Sequence, residues 1–225
     1  MIRTATTAAL LLAATAAIAQ GPERRFDVKG FDAVELDSSD AIRVMRGARF
    51  SVTAAGDPRA VAALDVSVRG GTLRVDRRPG RYNDRGATVT VVMPALRAAN
   101  LSGSGSIRVD GVASDGFTGR LGGSGSLILD TLAARTATFD LSGSGTISAT
   151  GRADTVKLAL GGSGRIDTRR LATRDITVDL GGSGAVTAAA TTTAYVRAGG
   201  SGSVRIDGPA TCTIRKGGTA TVHCG

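Results

Sequence analysis

Tryptophan is absent from the chain, and aromatic residues make up only 3% of it. Aromatic side chains supply the largest buried areas per residue, so a conventional core assembled around a few rings is excluded. Histidine occurs once, as His223, while Ser-His-Asp catalysis needs an imidazole held beside the serine. No apolar run after the first twenty residues is long enough to cross a bilayer. The basic residues are scattered, and without a basic arm or interleaved aromatics no nucleic-acid partner is expected. The glycine-rich turns lack the Lys and following Ser/Thr of a phosphate loop, which excludes that mode of nucleotide binding.

What is present is glycine, 32 residues of it, alongside 42% apolar residues. Glycine is costly inside regular elements and useful at tight turns, and this apolar content is too high for a disordered linker. A regular array with many turns satisfies both facts. The first residues read as a secretory signal: Arg3, an apolar stretch over 8–17, and Ala17-Ile18-Ala19 as a small-x-small cleavage site, which predicts a mature start at Gln20. An uncleaved N-terminal anchor is the alternative, and the stretch is short for it. Removing the segment takes away Arg3 and lowers the net charge from +9 to +8. Such a charge fits either an anionic envelope partner or an ordinary solvated surface.

Self-similarity organises the rest. LSGSG or LGGSG recurs around Gly103-Ser104-Gly105, Gly123-Ser124-Gly125, Gly143-Ser144-Gly145, Gly162-Ser163-Gly164 and Gly182-Ser183-Gly184, followed by AGGSG around Gly200-Ser201-Gly202. The central serines recur every 18 to 20 residues, and a worn copy follows at Gly217-Gly218-Thr219-Ala220. On both sides of each serine, apolar residues such as Leu101, Leu121 and Leu141, or Ile107, Leu127 and Ile147, alternate with polar ones. Period-two alternation means strands with one buried face. One such unit cannot bury its apolar side alone, so copies must stack, with equivalent residues about 4.8 Å apart. The expectation is an all-β, parallel β-helix or solenoid of roughly 20-residue repeats. Its corner glycines are expected in backbone conformations that a Cβ would strain, and Gly125→Val or Gly164→Val is expected to unfold the stack.

Three regions follow: a signal peptide over 1–19, an N-terminal β region over 20–96 capping the solenoid, and the repeat helix over 97–225. In the second region, alternating runs at 31–36, 42–44, 50–52, 64–68 and 73–75 read as strands, and Gly70-Gly71 marks a hairpin. Asp57-Pro58 opens a short helix, residues 78–87 form a loop, and a strand at 89–93 stops at Pro94. Cys212 and Cys224 are the only cysteines, and in an oxidising compartment such a pair is expected to form a disulfide worth about 3 kcal/mol by loop closure.

Catalytic, metal and cofactor sites are not expected. The serines do not sit in G-x-S-x-G, and the calcium-roll pattern fails because Leu127, Ile166 and Val186 stand where Asp is required. The enzymatic alternative is a polysaccharide lyase or hydrolase. Asp140 and Asp179 face outward in one column two copies apart, about 10 Å, the long end of an inverting separation. Arg120 and Arg197 share that column, so these four are the candidate surface contacts.

The arrangement resembles the DUF2807 family, the auto-transporter adhesin head GIN domain. The matching features are Phe31-x-x-Val34, the Gly-Gly-Thr-Leu run over 70–73, Val-x-Met-Pro-x-Leu over 91–96, and the approach to the first Leu-Ser-Gly-Ser-Gly at Leu101. The resemblance implies a right-handed β-helix, secretion or surface display, and an adhesive or structural role with no catalytic residues. The sequence reaches Gly225 straight after the repeats, without a translocation barrel, so the expectation is a periplasmic or freely secreted protein. A cell-envelope glycan or protein is the expected partner, with oligomeric state open between a monomer and end-to-end assembly.

Overall fold

The computed structural model describes residues 23–80 and 83–225. The signal segment at 1–19 and the start at Gln20 lie outside the described residues, as do residues 81 and 82 of the expected loop.

The strands follow in chain order. β1 (Arg24–Phe26), β2 (Ala33–Leu36), β3 (Ala41–Arg46) and β4 (Ser51–Gly56) lead to helix α1 (Pro58–Ala63). β5 (Leu64–Arg69), β6 (Thr72–Arg77) and β7 (Ala87–Met93) complete the N-terminal region. The repeats give β8 (Ala98–Leu101), β9 (Ser106–Val109), β10 (Val112–Leu121), β11 (Ser126–Leu141), β12 (Thr146–Leu160) and β13 (Arg165–Leu180). They end with β14 (Ala185–Ala189), β15 (Thr193–Ala198), β16 (Ser203–Asp207), β17 (Thr211–Lys216) and β18 (Thr221–Cys224). All eighteen belong to one sheet that winds around the molecule.

Between repeats every pairing is parallel, and the leucines stay in register: Leu121 on Leu141, Leu141 on Leu160, Leu160 on Leu180. The fold is thus the all-β solenoid that the repeat demands. Each coil runs from a Gly-Ser-Gly corner along a short strand, turns at a register shift near residues 129–132 or their equivalents, and returns along a longer flank. Leu101, Leu121, Leu141, Leu160 and Leu180 form one interior column; Ile107, Leu127, Ile147, Ile166, Val186 and Val204 form another. A single apolar cluster runs from Phe31 to Ala220. Aliphatic columns at strand spacing do the work that rings do elsewhere, with Phe117 and Phe139 the buried aromatics of the repeats.

The stack extends below the first GSG corner. β2 pairs in parallel with both β8 and β6, and β3 with both β9 and β7. Leu36 lies under Leu101 and Ile42 under Ile107, so residues 33–46 are a further coil whose corner reads Asp37-Ser38-Ser39-Asp40. β6 and β7 form the next layer, although they come later in the chain. Antiparallel strands then close this end: β4 on β7, β1 on β4, and β5 on β6. The β5–β6 hairpin turns at Gly70 and Gly71, both left-handed at φ 56° and 74°, as a two-residue hairpin requires. The Asp57 side chain accepts a hydrogen bond from the Arg59 amide at 2.9 Å, capping α1 just ahead of Pro58.

One expectation needs correction. None of the repeated GSG glycines has a positive φ, so their requirement is not conformational. It is close approach: a Cβ on Gly123 would lie 2.0 Å from the Gly103 carbonyl oxygen, and one on Gly125 2.1 Å from that of Gly105. Corners stack backbone on backbone, with the Ser126 amide donating to the Gly105 carbonyl at 3.1 Å and the Thr146 amide to Gly125 at 3.0 Å. The residue before each pair is free of this constraint. Gly161 and Gly181 have open space where a Cβ would go, which is why Ser102 and Ser142 occupy the same position in other copies. The worn corner differs, because Gly218 does turn left-handed, at φ 84°.

Candidate functional site

Three surface features arise from the stacking. The first is the corner itself. Each buried third glycine leaves a trough between the exposed central serine and the residue two positions on. Along the coils this becomes a groove of about 460 Å³ lined by Ser144, Ser163, Ser183 and Ser201 on one side and Thr146, Arg165 and Ser203 on the other. Its polar groups are hydroxyls, backbone and the Arg165 guanidinium, without an imidazole or carboxylate among the lining residues.

The second feature is the outward column on the long flank. Parallel register places Arg74, Glu35, Asn100, Arg120, Asp140, Ala159, Asp179, Arg197 and Arg215 on successive rungs. The four candidate contacts therefore share the column expected for them. Opposite charges meet on adjacent rungs: Arg74–Glu35 at 3.4 Å, Arg120–Asp140 at 3.6 Å and Arg197–Asp179 at 3.6 Å. These pairs are about half exposed, so each contributes at most about 1 kcal/mol. Asp140 turns to Arg120 on one side and Asp179 to Arg197 on the other, with Ala159 between them. A hydrolytic pair flanks the bond it cleaves, and here each carboxylate is engaged by the arginine on its far side. Arg120 and Asp140 instead line a shallow cleft of about 380 Å³ with Glu35, Asn100, Ser102 and Ser142. Glu35 was not legible as a member, because residues 33–46 carry no GSG to reveal their register.

The third feature lies where the corner column ends. Ser38 and Asp40 stand where later corners have glycine, and their side chains project toward the β6–β7 layer, whose long loop leaves room. Asp40 is 2% exposed. It accepts hydrogen bonds from Arg77 Nε at 2.7 Å and Nη2 at 2.6 Å, from the Ala87 amide at 2.8 Å and from Ser38 Oγ at 2.9 Å. Arg77 also donates from Nη1 to Asp84 at 2.8 Å. Burial pushes the Asp40 carboxyl up, but the hydrogen bonds from Arg77, Ala87 and Ser38, with the guanidinium charge, hold it below the usual value. The Arg77 hydrogen bond does the same for Asp84 against weaker desolvation. A fully satisfied buried network of this kind is structural, a polar plug for the stack.

Cys212 and Cys224 form a disulfide across the last coil, with Cα atoms 6.6 Å apart. Nearby, Tyr195 is the aromatic side chain on an outward position of the repeats. Arg197 lies over its ring at 4.8 Å and donates from Nε to its hydroxyl at 3.1 Å, and Arg215 approaches the ring at 5.8 Å. Among the described residues no group of three or more His, Cys, Asp or Glu side chains converges as a metal site, and no helix is long and apolar enough to cross a membrane.

Solved structures share this architecture. One described as a "putative adhesin" from Bacteroides fragilis is 21% identical with a TM-score of 0.83, covering 91% of this chain and 96% of its own. A "putative lipid binding protein" from Parabacteroides distasonis is 17% identical with a TM-score of 0.73, covering 92% and 98%. A "putative adhesin" from Parabacteroides merdae is 15% identical with a TM-score of 0.68, covering 92% and 97%. At these identities the likeness is one of fold. No curated protein matches the chain. The family model described as "Putative auto-transporter adhesin, head GIN domain" matches residues 30–210, which is most of the chain, and the protein belongs to that family, DUF2807.

Proposed function

We propose that the protein is an exported, non-catalytic binding module that contacts polymers of the cell envelope through the long flank of its solenoid. The observation that carries this reading is the flank itself: an in-register parallel surface with charged side chains repeated at strand spacing. A rigid array pays little ordering entropy on binding and suits an extended, repeating partner. The family's adhesin description and the adhesin names of the similar structures support the same role, and an N-terminal sequence that reads as a secretory signal supports export to the periplasm or beyond. The diverging ion pairs of Asp140 and Asp179 favour contact over hydrolysis.

The test is capture of envelope fractions by the mature protein, alongside a glycan array. Retention of a glycan or envelope protein, weakened by Arg120→Gln or Asp140→Asn, is expected. Release of reducing or unsaturated sugar from acidic polysaccharide, lost in Asp140→Asn or Asp179→Asn, would replace this reading with the enzymatic one.

A further inference from the structure

Along the long-flank column, stacking obeys one rule: each arginine meets a carboxylate on an adjacent rung, as in Arg74–Glu35, Arg120–Asp140 and Arg197–Asp179. The last rung breaks it. Arg215 lies in register on Arg197 and has no carboxylate partner among the described residues. Like charges directly opposite on neighbouring strands are destabilising, and local rules are broken mainly at functional positions. The neighbouring Lys216 stands in register with Ala198, at the end of the interior leucine column, and so belongs to the other face of the strand. The patch of Arg197 and Arg215 holds Tyr195, whose hydroxyl accepts from Arg197 and whose ring lies 4.8 Å from one guanidinium and 5.8 Å from the other.

From this exception we infer that Tyr195, Arg197 and Arg215 form a binding site for a carboxylate-bearing polysaccharide, a polyuronate-type chain lying along the flank. The chemistry of the three parts is complementary to such a chain. Arginine presents a planar fork that matches a carboxylate bidentately. A ring set among cations offers an apolar surface to the C–H face of a sugar, and its hydroxyl adds a hydrogen-bonding group. The cations of Arg197 and Arg215 repeat at strand spacing, about 4.8 Å, so charges on a linear polymer can be met in series. Asp179 neutralises one cation of the patch and leaves an excess of positive charge, which attracts an anionic chain and makes its capture sensitive to salt. The proposal rests on the envelope-binding reading and gives it a ligand class and a place.

The experiment measures binding of the full mature chain to polygalacturonate oligomers and to neutral dextran by thermophoresis at low and at physiological salt. Arg215→Gln and Tyr195→Ser are compared with Arg135→Gln, which removes the same charge as Arg215→Gln from a distant corner where Arg135 pairs with Asp115. Polyuronate binding that exceeds dextran binding, falls about tenfold in Arg215→Gln, falls also in Tyr195→Ser, and is unchanged in Arg135→Gln is the expected result. An equal loss in Arg135→Gln would mean generic charge attraction and would overturn the site. Binding of neutral but not acidic glycan would overturn the ligand class while leaving the envelope role standing. Retention of no envelope component at all would remove the broader reading as well. Circular dichroism of each variant guards against loss of fold, because Arg135 and Arg215 are exposed and Tyr195 lies on an outward position.

Discussion

The residue that decides this fold is the glycine whose missing Cβ lets one corner lie on the next. Its effect is position-specific within a single corner. A Cβ at Gly164 would sit 2.3 Å from the Gly145 carbonyl oxygen and 2.7 Å from a Leu141 methyl, whereas at Gly161, three residues earlier, it would meet nothing. Gly164→Ala is therefore expected to lose about 3 kcal/mol, the upper end for overpacking, since backbone cannot yield as a side chain can. Gly161→Ala is expected to be neutral or to gain up to about 1 kcal/mol from a stiffer unfolded chain. Thermal or denaturant unfolding of the two variants checks the contrast. Equal stabilities would contradict backbone-on-backbone stacking.

A second residue-scale expectation concerns Arg77. Removing it strands the buried Asp40 carboxylate, so Arg77→Ala should cost about 3–5 kcal/mol, read as a lowered denaturation midpoint. The pH dependence has a definite sign. Both Asp40 and Asp84 are held below their ordinary value in the folded chain, so the unfolded chain binds protons first as pH falls. Their stabilisation is complete above the ordinary aspartate value of 3.8 and is lost as pH drops through it toward the folded values. Acid unfolding below about pH 4 should be shallower in Asp40→Asn, which starts less stable at neutral pH.

At the scale of elements, the two ends of the stack are protected differently. The N-terminal end is closed by α1 and antiparallel strands. At the other end β17 and β18 pair on one side only, Ile214 is 42% exposed, and the disulfide ties the two strands together. Reduction, or Cys212→Ala with Cys224→Ala, should cost about 3 kcal/mol by loop closure and act locally. Hydrogen exchange is expected to accelerate in β17 and β18 and to stay unchanged in β11 and β12. Uniform acceleration would mean that the disulfide supports the whole stack.

For the molecule as a whole, legibility followed repetition. The GSG coils could be read because each residue type was stated again and again at one spacing, and the shared column of Arg120, Asp140, Asp179 and Arg197 followed from counting. The coil at 33–46 was hidden, because Ser38 and Asp40 replace the diagnostic glycines where no tight corner lies beneath them. Its partner layer was hidden too, since β6 and β7 stack below β2 and β3 while following them in sequence. The reason for the glycines was misjudged, as steric contact between coils depends on tertiary stacking rather than on local backbone preference. Arg215 stood out only once register placed it at the end of a column whose other arginines are compensated, with Tyr195 beside that column on the neighbouring rung.

The central claim is that the coils are coaxial and in register, and a distance along the ridge of exposed serines tests it most directly. Spin labels at Ser104 and Ser201, introduced as cysteine variants with the native disulfide intact, are five rungs apart along the stack. Pulsed electron double resonance should give one narrow distribution near 24 Å, five inter-strand spacings. A broad distribution, or a mean displaced by several spacings, would contradict the stacked architecture and everything derived from it.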